Sequence, residues 1–245
     1  MTCGPWKAVR LESYNGRVAE LWTDIEVEKG LKTAYIKAYT RVEGPDGDNV
    51  SFTLSFEGKK VAGASSKIDA DKRAHVDFKI DSPALWYPHG YGSQPLYDIS
   101  ATLSSGSKEL HSISKRTGVR QAELIQDKDK HGKSFYFRIN NVDIFCGGSN
   151  WIPADSFTPR ITVAKYRRWL ELMVDGNQCM IRCWGGGIWE PDIFFELCDQ
   201  LGIMVWQDFL FGITPLQFDF VSLTFRLRFG RLRQLSCTSR DSQIY

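Results

Sequence analysis

Residues 182–190 read R-C-W-G-G-G-I-W-E. An arginine and a glutamate supply fixed charge, two indoles supply flat apolar faces, and three consecutive glycines let the backbone come close to a ligand or to another segment. This mixture suits the floor of a pocket that takes something flat. Two further stretches combine polar groups with indoles in the same way: N-W-I-P-A-D at 150–155 and W-Q-D at 206–208. The candidate site residues are Asn150, Trp151, Arg182, Trp184 and Asp208.

The surrounding pattern says what positions them. Short apolar runs at 142–149, 178–184 and 203–206 alternate with helical spacing at 163–175 and 191–200. In the first helix Tyr166, Trp169, Leu170, Met173 and Val174 share one side. In the second, Pro191 stands near the first turn, where a missing N–H is tolerated, and Gly202 closes the end. Strand, helix, strand, helix, strand with near-continuous apolar strands predicts a parallel sheet buried on both faces. Ligands of such sheets meet the carboxyl ends of the strands, and all three clusters fall just past a predicted strand. A bland reading stands beside this one: Trp189 and Trp206 as core, Asp155 as a helix cap.

The first 120 residues differ. Residues 31–42, 49–56 and 74–80 alternate with period two, separated by turn-rich pieces such as E-G-P-D-G-D at 43–48, which predicts an antiparallel sandwich. Residues 85–97, L-W-Y-P-H-G-Y-G-S-Q-P-L-Y, hold too much Pro and Gly for a strand interior. An ordered aromatic loop is favoured there over a sugar-contacting one. The last 33 residues change character again, with five arginines, no lysine and period-two alternation at 218–229 where a helix is due. Residues 213–245 therefore read as an aberrant basic tail.

Bulk composition removes several function classes. A net charge of +2 gives no general attraction to nucleic acid or an anionic membrane, and no run of 18 apolar residues suggests a membrane-spanning helix. The six cysteines form no C-x-x-C pair and the four histidines are far apart, so neither a structural zinc site nor another metal or cofactor is expected. Scattered cysteines and an N-terminus without an apolar signal core favour an intracellular protein. One N-x-S triplet, at Asn49, argues only weakly the other way.

Residues 145–157 (F-C-G-G-S-N-W-I-P-A-D-S-F), 182–190 and 195–209 (F-E-L-C-D-Q-L-G-I-M-V-W-Q-D-F) resemble the start of the barrel in β-mannosidases of glycoside hydrolase family 2, fungal intracellular type. The loop at 85–97 resembles the end of the immunoglobulin-like domain before that barrel. Gly4-Pro5-Trp6-Lys7 resembles the last strand of the preceding jelly roll. The fold implied is mixed β and α/β, an immunoglobulin-like β-sandwich followed by the first strands and helices of an incomplete (β/α)8 TIM barrel. The implied divisions are 1–13 for the jelly-roll strand, 14–118 for the sandwich, 119–212 for the barrel start, and 213–245 for the tail.

The implied chemistry is retaining exo-hydrolysis of β-linked mannose from oligosaccharide ends, using two carboxyl groups about 5 Å apart. By resemblance Trp184 lines the mannose subsite and Arg182 holds the nucleophile carboxylate ionised. Asn150, Trp151 and Asp208 would contact substrate hydroxyls or the catalytic pair. The family's acid/base Glu closes a W-x-G-N-N-E motif, which these 245 residues lack, and no nucleophile segment follows. The partner expected is therefore a β-mannoside oligosaccharide, with no nucleic acid and no membrane, and the chain as written is expected to be inactive. The alternative is a non-catalytic carbohydrate-binding or vestigial scaffold fragment. Cys183 stands where an apolar residue is expected and should point away from Arg182 along the strand.

Overall fold

Period-two patterning forms a strand wherever one face can be buried, because successive side chains leave opposite sides of the sheet. The computed structural model describes residues 4–210 and 226–228. The chain divides between Cys146 and Gly147 into two compact units.

In the first unit, β1 (Arg17–Val27), β2 (Thr33–Glu43), β3 (Asn49–Phe56), β4 (Lys59–Lys67), β5 (Arg73–Asp81), β6 (Tyr97–Ser105) and β7 (Lys108–Thr117) form two antiparallel sheets, ordered β1-β2-β5 and β4-β3-β6-β7. This three-on-four split is an immunoglobulin-like sandwich. β5 shows its cause plainly: Ala74, Val76, Phe78 and Ile80 are buried, and the residues between them are exposed. The inner faces meet around Leu21, Ile36, Phe52, Leu54, Ile99 and Leu103, all essentially free of solvent. Each such side chain contributes about 1.5–3 kcal/mol by burial. Side chains of β7 reach β1: His111 Nδ1 accepts from the Val18 N–H at 3.3 Å, beside an irregularity in β1, and Lys115 Nζ donates to the Leu21 carbonyl at 2.5 Å.

The loop before β6 is ordered by its own polar groups. Trp86 is buried, the Tyr97 hydroxyl accepts from the Ala84 N–H at 2.9 Å, and Gln94 Nε2 donates to the Tyr87 and Gly92 carbonyls. Residues 4–14 form no strand. An extended segment becomes a strand only when a neighbour accepts its hydrogen bonds, and none of the described residues does so.

A small antiparallel sheet, β8 (Ala122–Ile125), β9 (Tyr136–Ile139) and β10 (Val142–Ile144), closes the first unit. The expected strand at 142–149 is corrected here. Asn140 and Asn141 both take positive φ, 48° and 64°, as a two-residue hairpin of primed type requires. Val142–Ile144 is thereby folded back antiparallel onto β9.

The second unit carries β11 (Gly148–Trp151), a 3-10 turn (Thr158–Arg160), α1 (Val163–Asp175), β12 (Met180–Cys183), α2 (Asp192–Leu201) and β13 (Met204–Gln207). β11, β12 and β13 are parallel neighbours, and β14 (Arg226–Arg228) adds antiparallel to β13. The rest of the expected tail at 213–245 lies outside the described residues. Both helices end as their sequences dictate. The Thr162 side chain accepts from the Lys165 N–H at the start of α1, and Gly202 takes φ +77° after α2. Trp151, Tyr166, Leu170, Ile181, Cys183, Phe194, Leu197, Cys198 and Val205 form the core between helices and sheet. Trp169, expected on the inner side of α1, is half exposed.

Candidate functional site

Register decides which side chains can meet. Asn150, Arg182 and Trp206 lie level across β11, β12 and β13, and Trp151, Cys183 and Gln207 form the next level. Successive levels face opposite ways. Trp151 and Cys183 are buried in the core beneath the helices, so Asn150 and Arg182 belong to the other face, where both are exposed.

On that face the three strand ends are tied together. Arg182 Nη1 donates to Asn150 Oδ1 at 3.3 Å, while Nε and Nη2 donate to Asp208 Oδ1 and Oδ2 at 3.3 and 2.7 Å. The bidentate pairing fixes the guanidinium plane, which a lysine would not do. Asp208 Oδ2 also accepts from the Gly185 N–H at 3.3 Å, so the same carboxylate holds the start of the glycine loop. Arg182 retains N–H bonds with no acceptor among the described residues, an arrangement able to hold a second carboxylate or a hydroxyl.

The glycines have a steric cause. A Cβ on Gly186 would lie 2.2 Å from Cη2 of Trp184, and one on Gly185 would lie 2.3 Å from the Phe209 carbonyl oxygen. The loop lies on the indole and on backbone, and no side chain fits between. Trp184 itself is part-buried. The Trp184 N–H donates to the Trp151 carbonyl at 3.0 Å, and the Gly187 N–H donates to the Trp184 carbonyl at 3.0 Å.

Four of the expected site residues, Asn150, Arg182, Trp184 and Asp208, thus meet at one end of the parallel sheet. Trp151 does not join them. Its ring faces the helices, 5.1 Å from Phe194 and 6.3 Å from Tyr166 between centroids, and its Nε1 donates to Glu190 Oε1 at 2.9 Å. Its ring therefore lies on the opposite face of the sheet from Asn150 and Arg182. The strand runs Gly148–Trp151 instead of ending at 149, so Trp151 is its last residue, and alternation turns the ring inward. Cys183 also points inward, as expected, and burial pushes its thiol up to about 12, aided by Glu190 and Asp208. Asp155 is structural: it accepts from the Phe157 N–H at 2.9 Å and pairs with Lys165 at 3.1 Å, and these contacts hold its carboxyl below the usual range. Gln207 is buried, its Nε2 donating to the Asp208 carbonyl at 2.9 Å.

Sequence reasoning missed Glu190. Its carboxylate is 1% exposed and accepts from Trp151 Nε1 and, at 2.5 Å, from the Tyr166 hydroxyl. Burial, then the bond to Glu190, holds the Tyr166 phenol well above its usual range. An acidic residue just before a helix ordinarily suits the positive helix end, so nothing local signals that this one turns inward. Among the described residues no His, Cys, Asp or Glu cluster has a metal-binding arrangement.

Residues 16–120 match the Glycosyl hydrolases family 2. The chain is 54% identical over 215 residues to Beta-mannosidase B of Aspergillus niger, covering 86% of this chain and 25% of that protein. Against Beta-mannosidase B of Aspergillus clavatus it is 50% identical over 214 residues, with the same coverage, 86% and 25%. The crystal structure of a β-D-mannosidase from Dictyoglomus thermophilum is similar at TM-score 0.73 and 38% identity, over 80% of this chain and 25% of that one. A β-glucuronidase from Parabacteroides merdae shares the fold at TM-score 0.68 and 20% identity, over 80% and 24% of the two chains. The chain spans about a quarter of the length of the curated relatives it matches.

Proposed function

We infer, from a chain that carries a glycosyl hydrolase family 2 segment over residues 16–120 and is about half identical to fungal β-mannosidase B along most of its length, that it is part of a retaining exo-β-mannosidase. The parallel strands from Gly148 onward are the opening strands of its (β/α)8 barrel. The substrate is a β-mannoside oligosaccharide, cleaved at the terminal non-reducing mannose. The observation that carries this reading is the Asn150–Arg182–Asp208 chain across three adjacent strand ends, with Trp184 beside it.

Each part has a task in that reaction. Trp184 offers a flat apolar surface to the C–H side of the sugar ring. Arg182, oriented by Asp208 and Asn150, directs its remaining N–H bonds at the nucleophile carboxylate and keeps it ionised. The two catalytic carboxyls come from barrel strands beyond these residues. A second reading is a carbohydrate-binding or vestigial scaffold, in which the groups that meet at the strand ends hold a glycan without cleaving it.

The test is to sequence the message from upstream of Met1 to beyond the Tyr245 codon, then assay its product on an aryl β-mannoside. A message that continues into a W-x-G-N-N-E motif, with a hydrolytically active product, is the expected result. A stop at Tyr245 with an inactive product would leave only the binding reading.

A further inference from the structure

Glu190 is a buried carboxylate that the reaction just described does not use. Both its oxygens accept from neutral donors on different elements: Trp151 Nε1 at the end of β11 and the Tyr166 hydroxyl on α1. Trp151 is held a second time, because its carbonyl accepts the Trp184 N–H at 3.0 Å. The loop from Trp184 to Glu190 therefore begins and ends on the same residue. Its first peptide binds the Trp151 backbone and its last side chain binds the Trp151 ring. Between these ends lie three glycines, one of them pressed against the Trp184 indole.

We propose that Glu190 is a positioning residue: it clasps the glycine loop to Trp151 and Tyr166 and so sets the Trp184 ring that receives the sugar. The role assigned to Trp184 rests on the β-mannosidase reading; the clasp itself does not. The physical need is clear. A glycine triplet has more backbone freedom to lose than any other three residues, so a loop built on it stays put only if its ends are tied. A buried carboxylate bridging two donors is a strong tie, since breaking it leaves buried polar groups unsatisfied. Trp151, read from sequence as a sugar contact, acts instead as the anchor on which the loop closes.

The test uses the product of the complete message and two variants, Glu190→Gln and Tyr166→Phe. Glu190→Gln keeps the size but sets an amide N–H₂ against a donor. Tyr166→Phe removes a single hydroxyl and serves if the first variant does not fold. Amide hydrogen exchange over 184–190 should speed up in both, with 194–207 still protected. Exchange unchanged in the loop, or raised equally throughout the second unit, would overturn the clasp.

Kinetics supply a readout that a merely structural role would not move. Displacing a substrate-positioning group by about an ångström can lower kcat/KM roughly a hundredfold. The loss caused by Glu190→Gln should therefore shrink sharply in a Trp184→Ala background. An equal loss in both backgrounds would show that Glu190 does not act through Trp184 and would sink the proposal. A parent without β-mannosidase activity would defeat the function reading instead, and the exchange result would then decide on the clasp alone.

Discussion

Gly186→Ala asks directly whether the Trp184 ring shapes the glycine loop. A Cβ at this position falls 2.2, 2.4 and 2.5 Å from Cη2, Cζ2 and Cζ3 of the indole. Non-bonded carbons settle at about 3.5–4.0 Å, so ring or loop must give by about 1–1.5 Å. Overpacking of that kind costs about 1–3 kcal/mol. The opposing term is smaller. Alanine at a backbone it can adopt stabilises by about 0.4–1 kcal/mol through the unfolded chain, and Gly186 is not in the left-handed region. The clash outweighs it over most of the range, and the net loss is about 0–2.6 kcal/mol. Gly187→Ala is the control, since its nearest atoms, Pro153 Cδ and the Trp184 carbonyl oxygen, stand at 3.1 and 3.3 Å and need give only slightly. That variant should be close to neutral. Urea unfolding followed by tryptophan fluorescence reads both changes, each made with and without Trp184→Ala. The cost of Gly186→Ala should vanish once the ring is gone. A cost of equal size in both backgrounds would refute the steric reasoning.

Three further outcomes follow from the structure. Arg17, then Arg41, hold the Glu43 carboxyl down to about 2 from 4.5, so this pairing supports the sandwich above about pH 4.5 and is lost as pH falls toward 2. The stability gap between parent and Glu43→Gln should close across that window in acid titrations followed by circular dichroism. Arg182→Lys removes a bidentate, half-exposed pair, so stability should change by no more than about 1 kcal/mol. In the complete product its kcat/KM on an aryl β-mannoside should nonetheless fall about tenfold or more, because the guanidinium plane is lost. Cys183, buried with its thiol pushed up to about 12, should resist iodoacetamide at pH 8 in the native protein. Mass spectrometry of tryptic peptides should show it labelled only after unfolding.

Local pattern was sufficient for much of the fold. The alternation at 74–80 becomes a strand with four buried residues in step, and α2 closes at Gly202 as its sequence suggests. Arg182 and Cys183 were expected to point opposite ways, and they do, because period two is a property of the strand itself. The parallel relation of β11, β12 and β13 was also legible, since apolar runs joined by helices have few other ways to bury both faces. One failure was local, in turn chemistry that the apolar pattern masked. Residues 142–144 carry the apolar content of a parallel strand, yet two asparagines in the left-handed region return them to β9.

The candidate site divides in the same way. Its polar residues could be picked from sequence because Asn150 and Arg182 lie near the carboxyl ends of their strands and Asp208 just past its own, and chain direction alone puts those ends on one edge of a parallel sheet. Only tertiary structure could show that Arg182 binds Asp208 and Asn150 together, for that depends on register between three separate segments. The inward turn of Trp151 follows from its place inside β11 next to Asn150, since adjacent strand residues take opposite faces. Glu190 was hidden for a stronger reason. A carboxylate is recognisable in sequence, but its burial is set by donors 39 and 24 residues away on a strand end and a helix. Sequence by itself determined the elements and the chemistry available at their ends; packing between distant segments decided which of those groups face a ligand and which hold the loop in place.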